Sequence, residues 1–295
     1  MTKELYFSES VVQRHLSSET QIELKKACQW VDSYLEIRII NTRIEKYMKY
    51  LSDKKSFDSL DDAKKYILTI KEVEEFLIVY RAFKNERNEK IIAKVKDVVS
   101  GKYYRIEGIS QEREVSRDFL HELSIAARLK KSGLEVDIES ECDVVTSFEN
   151  RKVYIECKRV RSEEQLYKRI KNANLQIKNR IGLKKLSSCG YIVIDVTDLL
   201  TKSIDIEYFN DKKHFSSLSL DKIKVFSNNY GEAIRKRVDS KVYGVILYSH
   251  LLGVVKNLAP EKKSSPLNMA VLYAIECNGK TEVKEFNSNF LKFFL

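Results

Sequence analysis

The chain has little of what makes turns. Among 295 residues there are two prolines and nine glycines, too few for long linkers or a turn-rich all-β fold. Cysteine is scarce and unpatterned. Cys28, Cys142, Cys157, Cys189 and Cys277 are odd in number and have no CxxC spacing, which speaks against both a disulfide framework and a zinc ribbon. They read as small buried hydrophobes. The longest apolar run, "YGVILYSHLLGVV", carries His250 and is shorter than the about 20 residues of a membrane span. The N-terminus has no charged-then-apolar signal pattern, so a cytoplasmic protein is expected. The four histidines, His15, His121, His214 and His250, are scattered without HExxH spacing, which disfavours a zinc hydrolase. No GxxxxGK[ST] occurs, and no GxGxxG follows a strand.

What the chain does have is positive charge in one place. The net charge is +10. From Arg151 to Leu186, twelve lysines and arginines face only Glu156, Glu163 and Glu164, so nearly the whole excess lies in one segment. A localised basic surface is the footprint of a polyanion, and nucleic acid is the expected partner.

Two regions are expected. Residues 1–108 read as helical. Trp30, Tyr34, Ile37, Asn41, Ile44, Met48 and Leu51 alternate spacings of four and three, a coiled-coil-like seam with one polar position. After the polar link "SDKKSFDSLDD", Ala63, Tyr66, Ile70, Val73, Leu77 and Tyr80 repeat the rhythm. An antiparallel helical hairpin accounts for both stripes, and an arm for a homodimer or a partner protein is the competing reading. Residues 109–295 alternate instead. A helix ends at Gly133, three strands follow through "VYIECKRV", then the helix "EEQLYKRIKNANLQIKNRI" and the buried-type strand "CGYIVIDV". A helix near Tyr230–Val238, the strand "VYGVILYS" and a last strand "MAVLYAIEC" complete the series. This order predicts an α/β fold with a mixed sheet flanked by helices.

One strand carries charge where a core strand should not. In "VYIECKRVR", Glu156 and Lys158 share a face, and Val153, Ile155 and Cys157 share the other. If the preceding turn is centred on Glu149-Asn150, Asp143 falls directly opposite Glu156, and like charges so paired repel unless a cation lies between them. On the first helix of this region, Glu122 falls inside the apolar arc of Phe119, Leu120, Leu123, Ile125, Ala126, Ala127 and Leu129. Arg117, His121, Ser124 and Arg128 read as its solvent face. An inward carboxylate needs a cation, a metal or a hydrogen-bonding partner.

Taken together, Glu122, Asp143, Glu156-Cys157-Lys158 and Gln176 on the next helix resemble the core of the PD-(D/E)XK nuclease superfamily, the restriction-endonuclease-like fold. The resemblance covers Asp118 to Ile177, with "GYIVIDV" as the expected fourth strand. Cys142 stands where the proline of the family's name would be. The resemblance implies a metal-dependent endonuclease that hydrolyses phosphodiester bonds in DNA, in prokaryotic defence or DNA repair. Asp143 and Glu156, with the carbonyl of Cys157, would hold Mg²⁺, for which Mn²⁺ could substitute, because a hard cation takes oxygen ligands. Lys158 would orient or deprotonate the attacking water. Glu122 would complete a second metal position or hold a bound water, and Gln176 would orient a neighbour or touch a phosphate. Arg159, Arg161, Lys168, Arg169 and Lys171 are the candidate phosphate contacts. The alternative is a catalytically silent nucleic-acid-binding or assembly subunit that kept the fold.

Overall fold

A computed structural model describes residues 6–8, 12–13, 18–53, 60–103, 114–138, 142–182, 187–200, 207–209, 212–255 and 265–294. Most of the polar link lies outside the described residues. The short strands β1 (Tyr6–Ser8) and β2 (Val12–Gln13) come first. Four helices follow: α1 (Ser18–Gln29), α2 (Arg43–Asp53), α3 (Leu60–Phe83) and α4 (Glu89–Val99). Next are α5 (Val115–Lys131), β3 (Val136–Asp137), β4 (Val144–Phe148), β5 (Arg151–Arg159) and α6 (Glu163–Gly182). The chain then forms β6 (Ser188–Asp195), α7 (Thr197–Leu200), β7 (Glu207–Phe209) and α8 (Lys212–Arg235). It ends with β8 (Val242–Val255), β9 (Ser265–Glu276) and α9 (Thr281–Phe290).

Six strands run side by side in the order β9-β8-β6-β5-β4-β3, and β1, β2 and β7 add short pairings at β9 and β8. β5, β6 and β8 are parallel neighbours, and the pairs β3–β4, β4–β5 and β8–β9 are antiparallel. The sheet is therefore mixed, with helices on both faces. None of the helices is long and apolar enough to cross a membrane, among the described residues.

The β4–β5 hairpin sets the register that matters most. Glu149 and Asn150 both have positive φ, 46° and 58°, as a two-residue type I′ turn requires. Phe148 pairs with Arg151 and Val144 with Ile155. One further step in the same register brings Asp143 opposite Glu156, as the sequence predicted. At the other end of this unit, α5 stops on Gly133, whose φ is +95°. The Gly133 and Leu134 N–H groups close back on the carbonyls of Lys130 and Leu129, the paired bonds of a Schellman ending.

The helical region departs from expectation. The seam from Trp30 to Leu51 is not one helix. After α1 comes a π-helical turn, Trp30–Tyr34. Helix resumes only at Arg43, and Glu36 and Asn41 between them have positive φ. The cause is local hydrogen bonding. Thr42 Oγ1 accepts the Glu45 N–H, and Glu45 Oε2 accepts the Asn41 N–H at 2.7 Å. "TRIE" thus starts a new helix in the manner of a capping box. The apolar stripes still meet within the chain, because α1 and α2 pack on α3.

The supposed solvent face of α5 is also a correction. Arg117, His121, Ser124 and Arg128 are all buried, because α3 and α4 cover that side of the helix. Arg117 Nε donates to Glu72 of α3 at 2.7 Å, and Arg43 of α2 reaches the same carboxylate at 2.9 Å. α5 is polar on this face for its neighbours' sake, not for water. One hydrophobic cluster joins Leu24, Ile44, Phe76 and Val95 to Leu123, Ile155 and Tyr191, so residues on either side of position 108 share a core. A second cluster, on the opposite sheet face, joins Tyr154, Ile192 and Val245 to Leu166 and Ile177 of α6 and Ile223 of α8. There Gly190 lets α6 approach; a Cβ would stand 2.3 Å from Ile177. The sequence reading also missed α9, and α8 begins well before Tyr230.

Candidate functional site

The charged residues gather where β4 ends and β5 continues. Asp143 lies just before the first paired residue of β4, and its Oδ2 accepts the Cys157 N–H at 2.7 Å. The N–H and C=O of a strand residue point to the same edge, so the Cys157 carbonyl also faces this end of the sheet. Lys158 Nζ then bridges two acids, 3.1 Å from Asp143 Oδ2 and 2.7 Å from Glu156 Oε2. Glu122 reaches the site from α5 and pairs with Lys94 of α4 at 2.6 Å. The carboxylates therefore do not all converge on one sheet face. α5 packs over Val153, Ile155 and Cys157, whereas Glu156 follows the side of Tyr154, and they meet at the strand ends.

Asp143, Lys158 and Glu122 open into a cleft of about 530 Å³, and Glu156 lies buried beneath its lining. Asp143, Cys157 and Lys158 line its floor, and Asp118, Phe119, His121 and Glu122 line it from α5. Lys90, Lys94 and Asp97 of α4 form one wall, and Arg169, Asn172 and Gln176 of α6 the other.

The electrostatics are those of too much negative charge in too little water. Burial and then the Asp143 carboxylate push Glu156 up to about 7. The same two causes push Glu122 up to about 7, against the opposing pull of Lys94. Burial works against the Lys158 ammonium, but Asp143 and Glu156 outweigh it and hold its pKa above the ordinary lysine range. Glu156 is fully buried, and its Oε1 has no hydrogen-bond partner. A buried carboxylate oxygen so placed lacks a cation or a donor.

Among the described residues, no three His, Cys, Asp or Glu side chains are already gathered as a metal-binding group. The donor set nonetheless fits a hard divalent cation. It offers two carboxylates and a strand carbonyl, one oxygen is unpartnered, and Mg²⁺ takes only one or two carboxylates while keeping waters.

The candidate phosphate contacts divide in two. Lys168 and Lys171 are exposed on α6, and Arg169 lines the cleft beside Gln176. Arg159 also lines the cleft but is held among acids, 3.2 Å from Asp195, 3.7 Å from Asp118 and 3.8 Å from Glu114. Arg161 is tied to Glu114 at 2.8 Å. Sequence reading missed the α4 wall and, above all, Lys94. Ile91, Val95, Val98 and Val99 form the buried stripe of α4, and Lys94 flanks that stripe on the side of Val98.

Behind the cleft lies a second buried polar cluster. Tyr248 bonds Glu75 at 3.0 Å, and His250 Nδ1 lies 3.5 Å from the same carboxylate. His121 packs its ring on Tyr248 and has no partner for either ring nitrogen; burial holds its pKa below the ordinary value.

Comparison of the chain with protein-family models, with curated proteins and with solved structures gives no match.

Proposed function

We propose that this protein is a metal-dependent nuclease that hydrolyses phosphodiester bonds in DNA. The observation that carries the reading is the Lys158 ammonium shared by Asp143 and Glu156 at the floor of a cleft lined by both basic and acidic side chains. A binding module needs no such buried, mutually repelling acids. Asp143 and Glu156, with the Cys157 carbonyl, are the groups that would hold Mg²⁺ or Mn²⁺. When bound, that ion would neutralise charge building on the phosphate and draw electrons from phosphorus.

The chain's own residues do the rest. Lys158 would orient or deprotonate the attacking water and stabilise the charge building on the phosphate. Glu122 lines the cleft from α5, where it can hold a water near the phosphate. Arg169 and Gln176 face the cleft, where they can position the phosphate backbone, and Lys168 and Lys171 extend the basic track along α6. A role in prokaryotic defence or DNA repair belongs to the same reading and rests on the family resemblance alone.

The test is cleavage of single-stranded, double-stranded and branched DNA, and of RNA, with Mg²⁺ or Mn²⁺ against EDTA. Activity is expected with metal and is expected to be lost in Asp143→Asn and Lys158→Ala. Equal activity in wild type and Lys158→Ala would refute the reading. The absence of a pre-gathered metal-binding group among the described residues favours the silent-subunit alternative. DNA binding indifferent to metal and to Asp143→Asn, without cleavage, would establish it.

A further inference from the structure

The Lys94–Glu122 contact has a consequence for how many cations the site accepts. Lys94 comes from α4, and its place is fixed. Ile91, Val95 and Val98 of the same helix are buried, and α4 packs along α5. The ammonium lies 2.6 Å from Glu122 Oε2 and 5.5 Å from the centre of the Phe119 ring. Both side chains are largely buried, at 14% and 10% exposure, so this contact is weakly screened.

We propose that Lys94 is a positioning residue that stands in for a second metal ion and restricts the site to a single divalent cation. The proposal rests on the nuclease reading. Three carboxylates, Glu122, Asp143 and Glu156, face two ammonium groups, Lys94 and Lys158. A second divalent ion would add two more positive charges beside Lys94, in a buried place where like charges repel strongly. Glu122 is the acid that a second ion would need, and Lys94 already holds it. By the same contact one oxygen of Glu122 is taken by an ammonium group and not by a metal ion. Without the lysine charge, Glu122 and Asp143 repel each other unopposed, and a second cation becomes favourable.

The experiment counts Mn²⁺ bound to the full chain, by calorimetric titration and by the loss of the free-ion paramagnetic signal. Wild type is expected to bind about one ion, lost in Asp143→Asn. Lys94→Gln is expected to bind about two, and Lys94→Gln/Glu122→Gln to return to about one. Lys94→Arg, which keeps the charge, is expected to stay at about one. A purely structural role for Lys94 would lower thermal stability and leave the count unchanged. Two ions on wild type, or one on a folded Lys94→Gln, overturns the role of Lys94 but leaves the nuclease reading standing. No Mn²⁺ on wild type overturns both.

Discussion

At the scale of single residues, the site stores unfavourable charge, and Glu156 is the clearest case. It is fully buried with one unpartnered oxygen. Its folded pKa of about 7 exceeds the ordinary 4.5. The folded chain thus binds a proton there that the unfolded chain has released, over the range from about 4.5 to about 7. Stability from this group falls as pH rises through that window and stays low above it. Replacing the carboxylate by its neutral isostere removes the loss. Glu156→Gln without metal is expected to melt above wild type at pH 8, by up to about 3 kcal/mol, with the gap closing toward pH 5. Thermal melts in EDTA across this range measure it. A Glu156→Gln protein less stable than wild type at pH 8 would show that the Lys158 bond outweighs the burial cost. The pairing of Asp143 with Glu156 was legible from the sequence because side chains alternate strictly and "EN" suits a two-residue turn. Lys94 was not legible by the logic that found Glu122, because it flanks the buried stripe of α4 where a solvated lysine is ordinary.

At the scale of elements, basic residues that are neighbours in sequence have opposite duties. Arg159 at the end of β5 neutralises Asp195, Asp118 and Glu114. Lys168 and Lys171 project from α6 into solvent. Lys168→Ala/Lys171→Ala is expected to weaken DNA binding and reduce the slope of log affinity against log salt by about two, with the melting temperature unchanged. Arg159→Ala is expected to destabilise the fold by about 3–5 kcal/mol, since it strands buried carboxylates. Salt-dependent binding titrations and denaturant unfolding separate the two. A charge count along the segment cannot make this distinction, because a basic side chain looks the same whether its partner is a phosphate or a carboxylate distant in sequence. The break at Thr42 is different. Its cap, "TRIE", is a local pattern, and the apolar spacing that runs through it masked the signal.

At the scale of the molecule, α5 links the N-terminal helices to the sheet and carries Glu122 to the cleft. Its inner face packs on β5. Its outer face is held by Glu72, which takes Arg117, Arg43 and the Tyr47 hydroxyl at 2.7, 2.9 and 2.8 Å. Glu72→Ala leaves the buried Arg43 without a carboxylate and Arg117 with Glu114 alone. It is expected to cost about 3–5 kcal/mol and to remove protection from amide exchange in α2, α3 and α5 together. Loss confined to α3 would show that the helices and the sheet do not unfold as one unit.

Local rules written in the sequence determined the strand and helix series from α5 to β6, the hairpin register and the inward turn of Glu122. Each depends on residues a few positions apart: a period of two or 3.6, a turn with two positive φ angles, a glycine after a basic last turn. What covers each face was decided only by the tertiary structure. Arg117 and His121 read as solvent-facing because polarity on a helix records a polar environment and does not say whether water or another side chain supplies it. Glu72 and Glu75 supply it from α3, more than 40 positions away. The same long-range packing brings Lys94 to Glu122, and so completes a site whose acids the sequence had already marked.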